Sequence, residues 1–244
     1  MTVKYVVFDW AGTLTPWHTV DLPGIWRAAA EALDGVAAAE VEGVADRLFA
    51  AERELMARCR DTQCSATLGE VFERAGVVAG RRALAAYRQA WEAHTLLDPD
   101  AAEMLVGLRE RGYGIGVLSN TLWPADWHEE IFDRDGVLGL LDAAVYSSEV
   151  AWTKPHPEIF AAVVERLGAD SPAECVFVGD RLFEDVHGAR EAGMRTILVP
   201  HSSIPAEELG ARGGEPDAVV ATLKDIPAVV DEWNGSAGFL TDGQ

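Results

Sequence analysis

The 244-residue chain carries 40 acidic against 20 basic side chains, a formal net charge of -20, and 49% of its residues are apolar. That length and apolar content suffice for a sizeable core and exclude disorder as the default state. The acidic balance argues against nucleic acid and anionic membranes as partners, because both need basic surface, and leaves open a small anionic substrate held in a locally positive site.

The first element is a short apolar run, Tyr5 to Phe8, that ends abruptly in Asp9, with Gly12, Thr13 and Pro16 following. Such a run of β-prone residues bounded by a turn predicts a buried strand. From about Pro23 to His94 the pattern is helical: Ile25-Trp26-Ala29-Ala30-Leu33 and Val41-Val44-Ala45-Leu48-Phe49 recur at helical spacing. Thr67-Leu68-Gly69-Glu70 resembles a capping box, and Ala83 to Trp91 gives a further helix.

From Pro99 the rhythm changes to strands alternating with helices. Ala101–Arg111 reads as a helix stopped at Gly112, Ile115–Leu118 as a strand ending in Ser119-Asn120, and Ala143–Tyr146 as another strand. Pro157–Leu167 reads as a helix, Val176–Val178 as a strand ending in Gly179-Asp180, and Asp185–Ala192 as a helix. Thr196–Val199 and Ala218–Val220 are strands, Ile226–Trp233 is a last helix, and the Gly-rich tail from Asn234 is expected to fray. The expected fold class is α/β: a Rossmann-like parallel sheet core, residues 1–14 and 99–244, with an inserted all-helical cap at 15–98.

Parallel strands point their carboxyl ends to one side, so Asp9, Ser119, Asp180 and Asp185 converge on one crevice, with Lys154 on a loop opening to the same side. Each member has a bland reading alone. Asp9 and Ser119-Asn120 could be turn residues, Lys154 a solvated lysine, Asp180 a helix cap, and Asp185 a partner of a helix dipole. Taken together they point to a catalytic site. The cysteines, Cys59, Cys64 and Cys175, fit neither a disulfide framework nor a zinc spacing. With no signal-peptide core and no apolar run of transmembrane length, a cytoplasmic protein is expected, as monomer or homodimer.

FDWAGTL at 8–14, VLSN at 117–120, KPHPEIF at 154–160 and VGDRLFEDVHGAREAG at 178–193 together resemble the haloacid dehalogenase-like hydrolase superfamily, in its helical-cap branch. The resemblance implies an aspartyl-enzyme intermediate on Asp9, with Ser119 and nearby amides holding phosphoryl oxygens and Lys154 pairing with Asp9 and the phosphoryl group. It implies Mg²⁺ held by Asp9, the Ala11 carbonyl and Asp180, with Asp185 in or just behind the metal shell. Hard oxygen ligands suit that ion. Thr13, Asn120 and His18 are the candidate substrate-binding residues.

Phosphatases of the superfamily carry a second Asp two positions after the nucleophile, where this chain has Ala11. DWAGT is the form found in phosphonoacetaldehyde hydrolase, which also needs a cap lysine, and 15–98 contains none. The expected reaction is Mg²⁺-dependent phosphoryl transfer from a small phosphorylated substrate to Asp9 and then to water, with His18 as candidate surrogate acid. The alternatives are 2-haloacid dehalogenation, for which Arg27 is the nearest candidate halide-binding arginine, and a catalytically weak phosphate- or partner-binding protein. Trp17, Trp123, Trp127 and Trp152 are expected near the crevice mouth, as substrate walls or as packing between cap and core.

Overall fold

β1 (Tyr5–Phe8) is apolar throughout because both of its faces are covered. In the computed structural model, which describes residues 2–16, 19–200 and 213–238, it lies inside a parallel sheet. The other strands are β2 (Gly114–Ser119), β3 (Ala143–Tyr146), β4 (Cys175–Gly179), β5 (Arg195–Leu198) and β6 (Ala218–Val219), in spatial order β3-β2-β1-β4-β5-β6. The chain runs outward from β1 through β2 to β3, then returns to place β4 on the other side of β1. Strand order therefore reverses between β1 and β4, where open α/β sheets form a crevice at their carboxyl ends. The Asp9 amide donates to the Val178 carbonyl at 2.9 Å, so the ladder continues one residue beyond β1.

Between β1 and the next core helix lie α1 (Leu22–Glu31), α2 (Val41–Thr62), α3 (Leu68–Arg74) and α4 (Arg81–Trp91). The capping box at α3 is present: Thr67 accepts from the Glu70 amide and the Glu70 carboxylate accepts from the Thr67 amide. Trp26 anchors this block, with ring centroids 4.6 Å from Tyr87 and 5.6 Å from Phe72. The block begins and ends side by side, because the Asp98 amide donates to the Leu14 carbonyl at 2.8 Å. Its core is continuous with one face of the sheet through Trp10, Leu14, Leu122 and Trp123.

α5 (Ala101–Glu110) and α6 (Ala125–Arg134) flank β2, and α7 (Pro157–Leu167) covers the other sheet face with Ile159, Phe160 and Val163 against Val7, Leu118 and Phe177. α7 starts with Pro at its first turn and stops at left-handed Gly168, as its sequence predicts. Two elements differ from expectation. The helix expected at 185–192 begins earlier, as a π-helical turn Leu182–His187 that runs into α8 (Gly188–Glu191). The tail does not fray at Asn234: α9 (Ile226–Gly238) passes through it, and the Asn234 amide pairs with both the N–H and the C=O of Val3 at 2.8 and 2.9 Å. Among the described residues no helix is long and apolar enough to cross a membrane.

Candidate active site

The turn after β1 is tight. The Trp10 carbonyl accepts from the amides of Thr13 and Thr15, and the Gly12 amide donates to the Thr15 carbonyl at 2.8 Å. Gly12 sits at φ +93°, and a Cβ there would meet Asp180 Oδ2 at 2.2 Å, so only glycine lets this turn approach the end of β4. Gly179 has a similar role, since a Cβ there would lie 2.4 Å from Asp185 Cγ. Gly12→Ala is expected to destabilise the fold by roughly 2–4 kcal/mol through combined overpacking and backbone strain, measured by urea unfolding. An unchanged midpoint would contradict the close approach.

Asp9, Lys154, Asp180 and Asp185 meet at the carboxyl ends of the strands, all buried. Lys154 Nζ donates to Asp9 Oδ1 at 2.6 Å and to Asp185 Oδ1 at 2.7 Å, bridging the two carboxylates. The other Asp185 oxygen accepts from the Arg181 amide at 2.9 Å, so both oxygens of Asp185 are engaged within the protein. The Asp180 oxygens are buried without a hydrogen-bond partner. Arg181 Nε stands 3.7 Å from one of them. Asp180 therefore does not cap a helix. The Thr13 hydroxyl is buried and equally unpartnered.

Carboxylate oxygens of Asp9, Asp180 and Asp185 lie within 4.8 Å of one another. Three carboxylates against the Lys154 ammonium and the Arg181 guanidinium still leave an excess of negative charge that a divalent cation would balance. The donor set is all hard oxygen, which suits Mg²⁺, and the unpartnered Asp180 oxygens fit a metal ligand.

The titration behaviour follows from burial. Burial pushes the Asp180 carboxyl up to about 8, reinforced by the Asp9 and Asp185 charges. Burial also raises Asp9 to about 6, against the pull of Lys154. Burial alone would lower Lys154, but the Asp185 and Asp9 carboxylates outweigh it and hold the ammonium above the usual lysine value. Both aspartates bind their protons more tightly folded than unfolded. Their stabilising contribution is full below the unfolded value of 3.8 and is lost as pH rises through about 6 and about 8. Without divalent metal, the urea midpoint is expected to be lower at about pH 8 than at about pH 5, by roughly 2 kcal/mol in stability, and Mg²⁺ is expected to restore much of the difference. A midpoint that rises with pH in EDTA would contradict this.

Ser119 ends β2 and is buried. Asn120, a candidate substrate-binding residue, engages the Lys154 backbone: its Oδ1 accepts from the Lys154 amide at 2.8 Å and its Nδ2 donates to the Lys154 carbonyl at 3.0 Å. Ala11 lies in the turn with its side chain exposed. His18 and Trp17 fall outside the described residues. Arg27 stands away from the site, in exposed ion pairs with Glu31 and Glu42.

The tryptophans mostly pack. Trp123 is buried, donates from Nε1 to the Tyr87 hydroxyl at 3.3 Å and sits 5.6 Å from Trp10 and 5.8 Å from Trp127. Trp152 stacks on His156 at 3.9 Å. Sequence reasoning did not single out His128, which is buried against Tyr146 and Trp10 and meets Thr121 Oγ1 at 3.1 Å. Burial lowers its pKa to about 3, so the ring is neutral. Its position on α6 carried no pattern to distinguish it from a surface histidine.

Comparison with known proteins is consistent with this geometry. The chain is 33% identical over 150 residues to a glyceraldehyde 3-phosphate phosphatase of Methanopyrus kandleri, covering 62% of this chain and 63% of the relative. It thus spans about three fifths of that relative's length. It is 30% identical to a ribulose-1,5-bisphosphate 5-phosphatase of Halopiger xanaduensis, with 97% of each chain covered. The L-2-haloacid dehalogenase of Xanthobacter autotrophicus shares the fold with a TM-score of 0.63 at 24% identity, over 94% of this chain and 99% of that one. The family model for haloacid dehalogenase-like hydrolases matches residues 3–193, and this chain belongs to that family.

Proposed function

We propose that this protein is a Mg²⁺-dependent phosphatase of small phosphorylated compounds, acting through a covalent phosphoryl group on Asp9. The carrying observation is the pairing of a Lys154-bridged Asp9 with an Asp180 whose buried oxygens have no hydrogen-bond partner. In this reading the Asp9 and Asp180 carboxylates and the Ala11 carbonyl would hold Mg²⁺, while Asp185 orients Lys154. When bound, the ion neutralises phosphoryl charge so that a carboxylate can approach it.

Asp9 attacks phosphorus and the leaving oxygen departs. Water then attacks phosphorus and frees Asp9. Lys154 stabilises charge on the phosphoryl oxygens throughout, and the Thr13 and Ser119 hydroxyls orient them. The helical block, 15–98, acts as the cap over a core of 1–14 and 99–244. We place the protein in the cytoplasm as a monomer or homodimer, on its composition.

Dehalogenation is the weaker reading, because Arg27 is committed to surface pairs and Asp180 has the character of a metal ligand. The names of the relatives suggest the first substrates. Glyceraldehyde 3-phosphate, ribulose 1,5-bisphosphate, acetyl phosphate, p-nitrophenyl phosphate and 2-chloropropionate should be assayed with Mg²⁺ and with EDTA. Phosphate release that requires Mg²⁺ supports the proposal, whereas metal-independent halide release as the only activity would overturn it.

Ala11 has no acid to protonate a poor leaving group. Ala11→Asp is expected to raise turnover of alkyl phosphates relative to p-nitrophenyl phosphate by ~10-fold or more. No selective gain would argue against that account of Ala11.

A further inference from the structure

The loop carrying Lys154 is held from two sides. From the core, the Asn120 side chain grips the Lys154 amide and carbonyl. From the helical block, the segment just after α2 pairs with 150–153. The Ser65 amide donates to the Ala151 carbonyl at 3.0 Å, and the Thr153 amide donates to the Gln63 carbonyl at 2.9 Å. Cys64 and Trp152 are the antiparallel bridge partners between those bonds, and the Ser65 hydroxyl donates to the Val150 carbonyl. Gln63 adopts a left-handed conformation, φ +56°, at the end of α2. This conformation is unfavourable for a non-glycine residue and turns the chain toward the lysine loop.

We infer that Gln63–Ser65 is a positioning element for Lys154: docking of the helical block and assembly of the charged centre are one event, because the ribbon supports Thr153, the residue next to the lysine. Any motion that separates the block from the core to admit substrate must break these bonds. It then releases the loop whose ammonium bridges Asp9 and Asp185. The inference rests on the phosphatase reading only for its activity readout.

Flanking hydrogen bonds on both sides make Cys64 and Trp152 a non-hydrogen-bonded antiparallel pair, whose Cα atoms sit ~4.5 Å apart, within the range a disulfide spans. Trp152→Cys therefore gives a reversible latch with the native Cys64. On oxidation we expect a disulfide from Cys64 to the new thiol, a loss of p-nitrophenyl phosphate turnover of at least ~10-fold, and recovery on reduction. Trp152→Ala, which also loses the stack on His156, should be indifferent to oxidant. Failure of the disulfide to form, or undiminished turnover once it has formed, overturns the inference.

Ser65→Pro removes the amide donor while Ser65→Ala keeps it. The first is expected to lower kcat ~10-fold with KM changed less than ~3-fold, and the second, which loses only the hydroxyl bond to Val150, to lower kcat by less. Equal effects overturn the positioning role. Amide hydrogen exchange of the wild-type protein needs neither variant nor substrate, so it stands even if no phosphate ester is hydrolysed. Ser65, Thr153 and Lys154 amides are expected to exchange at one common rate, slowed together by Mg²⁺ with orthovanadate. A Lys154 amide that exchanges independently of Ser65 and Thr153 shows that docking does not position the lysine and overturns the inference.

Discussion

Asp9→Asn is expected to lower Mg²⁺-dependent phosphate release on the order of 10⁴-fold or more while leaving the fold intact. The amide matches the carboxylate in size, but it is a poor nucleophile and carries no charge for Lys154 or a cation. The remaining hydrogen bond to Lys154 Nζ can still form through the amide oxygen, so the buried lysine keeps Asp185 and one neutral partner. Steady-state rates with p-nitrophenyl phosphate, alongside urea unfolding, separate the two effects. Retention of more than about a tenth of the activity would remove Asp9 from the role of nucleophile.

Lys154→Met is expected to cost both stability and activity. Lys154 is buried and is the hydrogen-bond partner of one oxygen each of Asp9 and Asp185. Removing one member of a buried ionic cluster leaves uncompensated charge, typically worth about 3–5 kcal/mol. The loss should be larger at about pH 8 than at about pH 5, because the orphaned carboxylates relieve each other by taking up protons. Adding Asp185→Asn to Lys154→Met is expected to recover part of the stability but none of the turnover. A Lys154→Met protein as stable as wild type at both pH values would contradict the bridging geometry.

Asp9 and Asp180 were legible because they sit at strand ends, and strand ends are what sequence patterns mark best. Val6-Val7-Phe8 followed by Asp9, and Val176-Phe177-Val178 followed by Gly179-Asp180, locate two aspartates at the reversal point of a sheet. Their neighbours were harder to read. Asn120 looked like a ligand-binding residue because it follows Ser119, yet its amide matches the hydrogen-bonding groups of the Lys154 backbone, 34 residues away. The pairing of Gln63–Ser65 with 150–153 is made mainly by backbone groups, with one bond from the Ser65 hydroxyl, and a lone serine carries no pattern that marks it. Asn234 was read with the glycines around it as a loose tail, but tertiary bonding to Val3 holds the helix through a sequence of poor helical propensity. The π-helical turn at Leu182–His187 places Asp185 where both of its oxygens are satisfied, a placement that a regular helical repeat does not predict.

The glycines tell the same story at shorter range. Gly12 and Gly179 fall in the same sequence motifs as Asp9 and Asp180, and the structure supplies the reason: a methyl group at either would occupy space taken by the carboxylate of Asp180 or Asp185. The tight turn, the glycine-lined approach and the buried lysine together bring three carboxylates close enough to share one cation. Ala11 is the departure within that frame, since the turn next to the charged centre carries there a side chain that cannot exchange a proton.

The proposed reaction requires that phosphorus become bonded to a carboxylate oxygen of Asp9. Acid quenching of the enzyme during turnover with Mg²⁺ and acetyl phosphate, followed by borohydride reduction and peptide mass analysis, reads this directly, because an acyl phosphate is reduced to an alcohol and an ordinary carboxylate is not. Conversion of residue 9 to homoserine is expected, dependent on Mg²⁺ and absent in Asp9→Asn. Phosphate release with residue 9 unmodified, or with the reduced residue elsewhere in the chain, would contradict it.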